Sequence, residues 1–134
     1  MRRTILLLIL LGAGACNRAQ ENGGDLSLPA SEVPVADSTV RLLVQRGVIL
    51  LANRDSVPLY YAAYDAAVAA VIEWSPCVVP SDCHEKIPPY ATRVVAPARS
   101  GSDTVLVFWW RLVPGHDGHY VPDRPGHVAL TMPY

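Results

Sequence analysis

The chain has 134 residues, 51% of them hydrophobic and 17% charged, with a formal net charge of -1 at pH 7. That length leaves room for one domain. The near-neutral balance provides no basic surface, which argues against a nucleic-acid partner.

Arg2 and Arg3 are followed by an uncharged stretch, Thr4 to Ala15, with an unbroken aliphatic run from Ile5 to Leu11. A positive start, a short apolar run and small residues are the layout of a secretory signal. The apolar stretch is about a dozen residues long and a helix needs roughly 20 to span a bilayer, so a transmembrane anchor is not expected. Ala13, Gly14 and Ala15 stand directly before Cys16 and resemble the lipobox of bacterial lipoproteins, with Ala13 where Leu is commonest. The resemblance implies cleavage after Ala15 and thioether lipidation of Cys16. Ala13 and Ala15 also suit ordinary signal peptidase, which would yield a soluble secreted protein. The chain holds three cysteines, and an exported protein with an odd number has one left over. Cys77 and Cys83 are close enough to pair, and lipidation accounts for Cys16. Each buried methylene contributes about 0.8 kcal/mol, so two or three acyl chains of the palmitate kind hold such a protein to its membrane. Asn17 stands where Asp would signal inner-membrane retention. The expected address is therefore the cell envelope, on the outer membrane facing the periplasm or the cell surface.

Gln20, Glu21, Asn22, Gly23, Gly24 and Asp25, followed by Ser and Pro, carry too little apolar side chain to fold alone. The expected organisation is a signal peptide over 1–15, the lipidated cysteine and a flexible linker over 16–38, and a folded domain over 39–134. As a coil the linker spans roughly 25 Å, which holds the domain off the membrane.

Within the domain, Val40 to Ala52 is rich in Val, Leu and Ile and is broken by Gly47. Asn53 to Pro58 has turn chemistry, and Leu59 to Asp65 carries Tyr60, Tyr61 and Tyr64. Ala69 to Trp74 is apolar, Arg93 to Ala96 is short and β-branched, and Ser100 to Asp103 forms another turn. Thr104 to Val113, with Phe108, Trp109 and Trp110, is the strongest strand; Pro114 to Gly126 reads as a loop, and Val128 to Met132 closes the chain. Short strands broken by frequent turns predict an all-β fold, a small antiparallel β-sandwich. One segment has two readings. Tyr60, Tyr64, Val68, Val71 and Ile72 recur at helical spacing among alanines, which gives an α+β alternative with a helix near 59–73. Tyr60 and Tyr61 favour strand, so an antiparallel pair turning near Ala66 and Ala67 is preferred.

Cys77 and Cys83 flank Pro80, Ser81 and Asp82, and outside the cytoplasm a disulfide is the expected state. Trp74 precedes this loop and is placed to pack on it. A tryptophan against a disulfide resembles the immunoglobulin and fibronectin type III sandwiches in architecture, although there the bridge joins two sheets and here it clips one loop. The run Asn53 to Tyr61, then Trp74 to Cys77, then Val107 to Trp110, is similar to small bacterial secreted domains. That resemblance supports the fold and implies no chemistry.

His116, His119 and His127 are candidate ligands for Zn²⁺ or Cu²⁺. Against this, Asp117-Gly118 is a strong hairpin-turn pair that His116 and His119 would merely flank. Cys77, Cys83 and His84 lack the tight spacing of zinc sites. Ser, His and Asp occur, but no nucleophile elbow holds them together. Trp109 and Trp110 are adjacent on a strand, so their side chains point to opposite faces. One should enter the core and the other offer a protein or glycan contact, unless a second layer or the 114–126 loop covers it. The sequence thus predicts a non-enzymatic binding or structural module with no cofactor, anchored to a membrane, with a metal-binding envelope protein as the alternative.

Overall fold

The computed structural model describes residues 30–97, 99 and 101–132. The signal segment, Cys16 and most of the expected linker lie outside these residues. The described chain is an all-β sandwich of two four-stranded antiparallel sheets. In chain order the elements are β1 (Ser31–Val33), β2 (Val40–Gln45), β3 (Val48–Asn53), β4 (Leu59–Asp65), the single turn α1 (Ala66–Ala69), β5 (Lys86–Ile87), β6 (Thr92–Val95), β7 (Thr104–Pro114) and β8 (Tyr120–Thr131). The first sheet runs β1-β2-β3-β6 and the second β5-β4-β7-β8.

The β2–β3 hairpin forms because Arg46 and Gly47 both take left-handed backbone, φ 52 and 72. That pair closes the tight two-residue turn whose twist matches the flanking strands. The core is the product of period-2 alternation from both sheets. Val40, Leu42, Ile49, Leu51 and Val95 of the first sheet meet Leu59, Ile87, Val105, Val107, Trp109 and Leu130 of the second. Each fully buried aliphatic side chain contributes about 1.5–3 kcal/mol relative to exposure.

Three expectations change. Ser31–Val33, within the stretch read as linker, pairs with Leu42–Val44 as β1, and Val33 and Val35 pack on the core. Residues 120–126, read as part of a loop, belong to β8, which pairs with β7. The segment 59–73 is neither a hairpin nor a long helix: β4 pairs with β7 from Tyr60↔Trp110 to Asp65↔Val105, and only Ala66–Ala69 is helical. Asp65 ends the strand and starts the turn, its buried carboxylate accepting from the Val68 N–H at 2.8 Å. That is the usual N-cap contact.

After α1 the chain crosses the outer face of the second sheet and forms a partial third layer. Tyr60, Ala62, Phe108, Trp110 and Leu112 point outward and are covered by Trp74, Cys77 and Cys83. The Cys77–Cys83 disulfide is formed. Trp74 stacks on Phe108 with centroids 4.3 Å apart and meets Trp110 edge-on at 5.7 Å. The Trp110 indole N–H donates to the Cys77 carbonyl at 3.0 Å. Closing so short a loop contributes about 2 kcal/mol through chain entropy. Replacing both cysteines with serine is expected to lower stability by about that amount in chemical denaturation. The same variant should red-shift tryptophan emission as the flap over Trp110 loosens; emission unchanged from the parent would show that the rings, not the bridge, hold the flap.

Candidate functional site

Both tryptophans singled out in the sequence are buried, each 3% exposed. Trp109 enters the sandwich, and Trp110 lies under the disulfide loop rather than under the 114–126 stretch. The histidines are not brought together. His116 and His119 are exposed beside the Asp117-Gly118 turn, where Gly118 has φ 80 and the Gly115 N–H donates to the His119 carbonyl at 2.6 Å. His127 stands along β8, stacked on Phe108 at 6.1 Å. Eight residues of strand separate it from His119, roughly 25 Å. Among the described residues no group of three or more His, Cys, Asp or Glu is placed to hold a metal ion.

What the fold does assemble is a cavity of about 550 Å³ at one open edge of the sandwich. One wall is the connection from β1 to β2, residues 34–39, and the other is the β8 segment 124–127, with Trp109 between them. The β8 wall is irregular. Trp109 pairs with Gly126 and Arg111 with Asp123, so Arg124 and Pro125 together face the single residue Trp110. This bulge is where Arg124 takes left-handed backbone, φ 45. A bulge in an edge strand tolerates a proline and re-aims its neighbours. Here it turns Arg124 toward the 37–39 and 53–55 segments.

Two arginines and three aspartates lock that corner. Arg111, on the inward face of β7 and 1% exposed, donates to Asp37 Oδ2 at 3.3 Å, to the Thr39 carbonyl at 3.4 Å and to Asn53 Oδ1 at 3.1 Å. Its Nε lies 3.4 Å from Asp55 Oδ2, an ion pair without hydrogen-bond alignment. Arg124 donates to the same Asp55 oxygen at 2.9 Å and to Asp123 at 3.2 Å. Asn53 is a second organiser: its amide donates to the Val57 and Ile87 carbonyls, closing the 53–58 turn.

Burial pushes the Arg111 guanidinium down, and Arg124 adds repulsion, while Asp37, Asp55 and Asp123 pull it back. Arginine stays protonated throughout. Burial also works to raise the Asp37 carboxyl, but hydrogen bonds from Thr39 and the charges of Arg111 and Arg124 hold it below its ordinary value. Asp55 is held low by Arg124 first and by the Ser56 N–H second. With the folded values below the unfolded ones, both carboxylates stabilise the fold fully above the unfolded pKa. That contribution is lost as pH falls through the folded values. Acid destabilisation is therefore expected below about pH 4, where free carboxylates protonate. Thermal melts followed by circular dichroism across that range check it. An Asp37→Asn/Asp55→Asn variant should be less stable at neutral pH and lose less on acidification; an unchanged acid limb contradicts the assignment.

Beside the cavity, beneath β8, lies one buried unpaired donor. Among the described residues the buried Trp109 Nε1 has no hydrogen-bond acceptor. It lies against Gly126, 2.5 Å from where a Cβ on that residue would stand. A buried donor left unmade costs about 1–3 kcal/mol. Asp37, Arg111, Arg124 and Gly126 were not singled out in the sequence. One signal was present: Val105, Val107, Trp109 and Arg111 share the inward face of one strand, and a charge there demands buried partners.

The class these features define is a small disulfide-clipped β-sandwich with a cavity at its open edge. Comparison with protein-family models, with curated proteins and with solved structures gives no match in any of the three.

Proposed function

We propose that this protein is a membrane-tethered, non-enzymatic binding module of the bacterial cell envelope, with the cavity between residues 34–39 and 124–127 as its ligand site. The observation that carries the reading is a cavity of about 550 Å³ that combines apolar Pro34, Val35 and Pro125 with the charged Asp37 and Arg124. Small-molecule sites occupy roughly 300–1,000 Å³ and place a few polar groups in mostly apolar walls. The bulge at Arg124–Pro125 adds to it, since such irregularities cluster beside binding sites. A non-catalytic role fits the charges: Asp37 is held as an ion chiefly by hydrogen bonds from Thr39, and Asp55 chiefly by Arg124, which makes both poor proton donors at neutral pH. The tether rests on the signal-like Arg2 to Ala15 segment and Cys16, and the formed disulfide suits an oxidising compartment.

Two measurements test this. Alkyne-palmitate fed to bacteria expressing the chain should label it, and Cys16→Ala should abolish the label and release the protein from the membrane fraction. For the site, the indole ¹H–¹⁵N peak of Trp109, assigned with Trp109→Phe, should move when a fragment library is added to the full chain in detergent micelles. A library that moves no residue of the cavity removes the ligand-site reading.

A further inference from the structure

We infer that the outer face of the first sheet, β1-β2-β3-β6, docks on an anionic lipid surface, so that the tethered domain lies against its own membrane. This rests on the membrane-tether part of the proposed function, not on the cavity, and adds which face meets the lipid.

The two sheets differ in what covers them. The outward residues of the second lie under Trp74, Cys77 and Cys83. In the first, strand alternation sends Leu42, Ile49, Leu51 and Val95 inward and the residues between them outward. The register sets Leu43 beside Leu50 and Leu50 beside Val94, an apolar row across β2, β3 and β6. Among the described residues, Leu43 and Leu50 belong to neither packed cluster. Val94 is 59% exposed, and Val48, two residues from Leu50 along β3, is 40% exposed. A contiguous outward apolar patch with a polar border marks contact with a partner or a membrane.

Charge decides between these. Next along the same face the register places Arg41, Ala52 and Thr92 side by side. With Arg54 and Tyr90 they line a cavity of about 400 Å³. Arg41 donates through Nε and Nη2 to Glu32, the one carboxylate in the strands of this sheet, which leaves Nη1 for an incoming anion. Arg54 is exposed at the same opening, and Arg46 is exposed in the hairpin turn at the other end of β3. Guanidinium groups suit phosphate oxygens in geometry as well as charge. Tyr90, 73% exposed, has the apolar body and polar tip that settle at a water–lipid boundary. A second copy of this chain on the same face would bring like arginines against these, which disfavours that occupant. A surface of lipid phosphates answers both the apolar row and its basic border.

The tether supplies proximity. Residues 17–29 connect Cys16 to the start of β1, at most about 50 Å of chain. β1 is an edge strand of the sheet in question. An anchored domain meets its membrane at high effective concentration, so weak contacts suffice to hold it there.

The experiment places the ¹⁵N-labelled chain, purified from bacterial membranes, in nanodiscs of phosphatidylglycerol or of phosphatidylcholine, each doped with gadolinium-headgroup lipid. In phosphatidylglycerol the amide peaks of Leu43, Leu50 and Val94 should broaden, while those of Ala62 and Phe108 on the second sheet should not. Phosphatidylcholine should broaden neither set. Each arginine at an anionic surface strengthens binding roughly fivefold, so Arg41→Gln/Arg54→Gln should lower the docked-to-free ratio at least about tenfold. Arg93 pairs with Leu51 and so starts from the inward side of β6; Arg93→Gln should change the ratio little. Val94→Glu should abolish the broadening while the rest of the spectrum stays in place. Equal broadening in both lipids, or a loss with Arg93→Gln as large as with the double variant, overturns the inference. So does a dimer, seen by sedimentation in detergent, that Val94→Glu breaks, since the face then belongs to a second copy. If Cys16 takes the palmitate label and the face peaks stay sharp, the docking falls and the tether stands. If Cys16 carries no acyl chain, the tether reading falls, and the same discs added to the unacylated chain decide the face alone.

Discussion

Arg111→Ala should be among the most damaging single substitutions in this chain, lowering unfolding free energy by about 3–5 kcal/mol. A domain of this size holds only about 5–15 kcal/mol in total, so much of the population would unfold under mild conditions. Arg111 is 1% exposed, donates to Asp37, the Thr39 carbonyl and Asn53, and pairs ionically with Asp55, so it joins the 37–39 and 53–55 segments. Removing it leaves Asp37 and Asn53 facing a cavity, and a partly buried carboxylate without its cation costs more than the pair was worth. Arg111→Met keeps much of the volume and removes the charge, so the difference between the two variants separates packing from electrostatics. Adding Asp37→Asn to Arg111→Met should recover part of the loss, because it removes the uncompensated charge rather than restoring a contact. Urea midpoints at neutral pH measure all of these. A loss below about 1 kcal/mol for Arg111→Ala would place the network among exposed ion pairs and remove its role as the corner lock.

The same residue shows where the sequence was legible. Strands and turns carried by alternation and by Gly or Asn, such as the hairpin at Arg46-Gly47 and the strand over Thr104–Pro114, follow from local chemistry. The disulfide follows from two nearby cysteines in an exported chain. The 59–73 segment was ambiguous for a physical reason. A spacing of four, as in Tyr60, Tyr64 and Val68, is near one helical turn and is also an even number, so a strand places the same residues on one face. Pairing with β7 decides it, and that partner is more than 40 residues away in sequence at Ala62↔Phe108 (108 − 62 = 46). β1 and the first half of β8 are nearly all polar or exposed. They become strands because an existing edge offers them unpaired backbone groups, which no local pattern records. The candidate site was illegible for the same reason: Asp37, Asp55, Arg111 and Arg124 are unremarkable singly and meet only across the two sheets.

Gly126→Ala should cost about 1–3 kcal/mol, the range for forcing an extra carbon into a packed site. Nothing about the glycine's backbone requires it; the constraint is space. A Cβ there would lie 2.4 Å from Trp109 Cε2 and 2.5 Å from Cζ2 and Nε1, closer than any tolerable contact. The indole cannot swing away, since Trp109 is 3% exposed and packed in the main core. Trp109→Phe withdraws that edge of the ring and also removes the unpaired N–H. Its own cost should therefore fall below that of an ordinary large-to-small core change, because loss of a buried orphan donor offsets about 1–3 kcal/mol. In the Trp109→Phe background, Gly126→Ala should cost little, since the methyl enters space the indole has left. A double-mutant cycle of unfolding free energies then gives a coupling of about 1–3 kcal/mol, the magnitude expected for residues in direct contact. A coupling near zero would mean that the indole edge does not lie beneath β8.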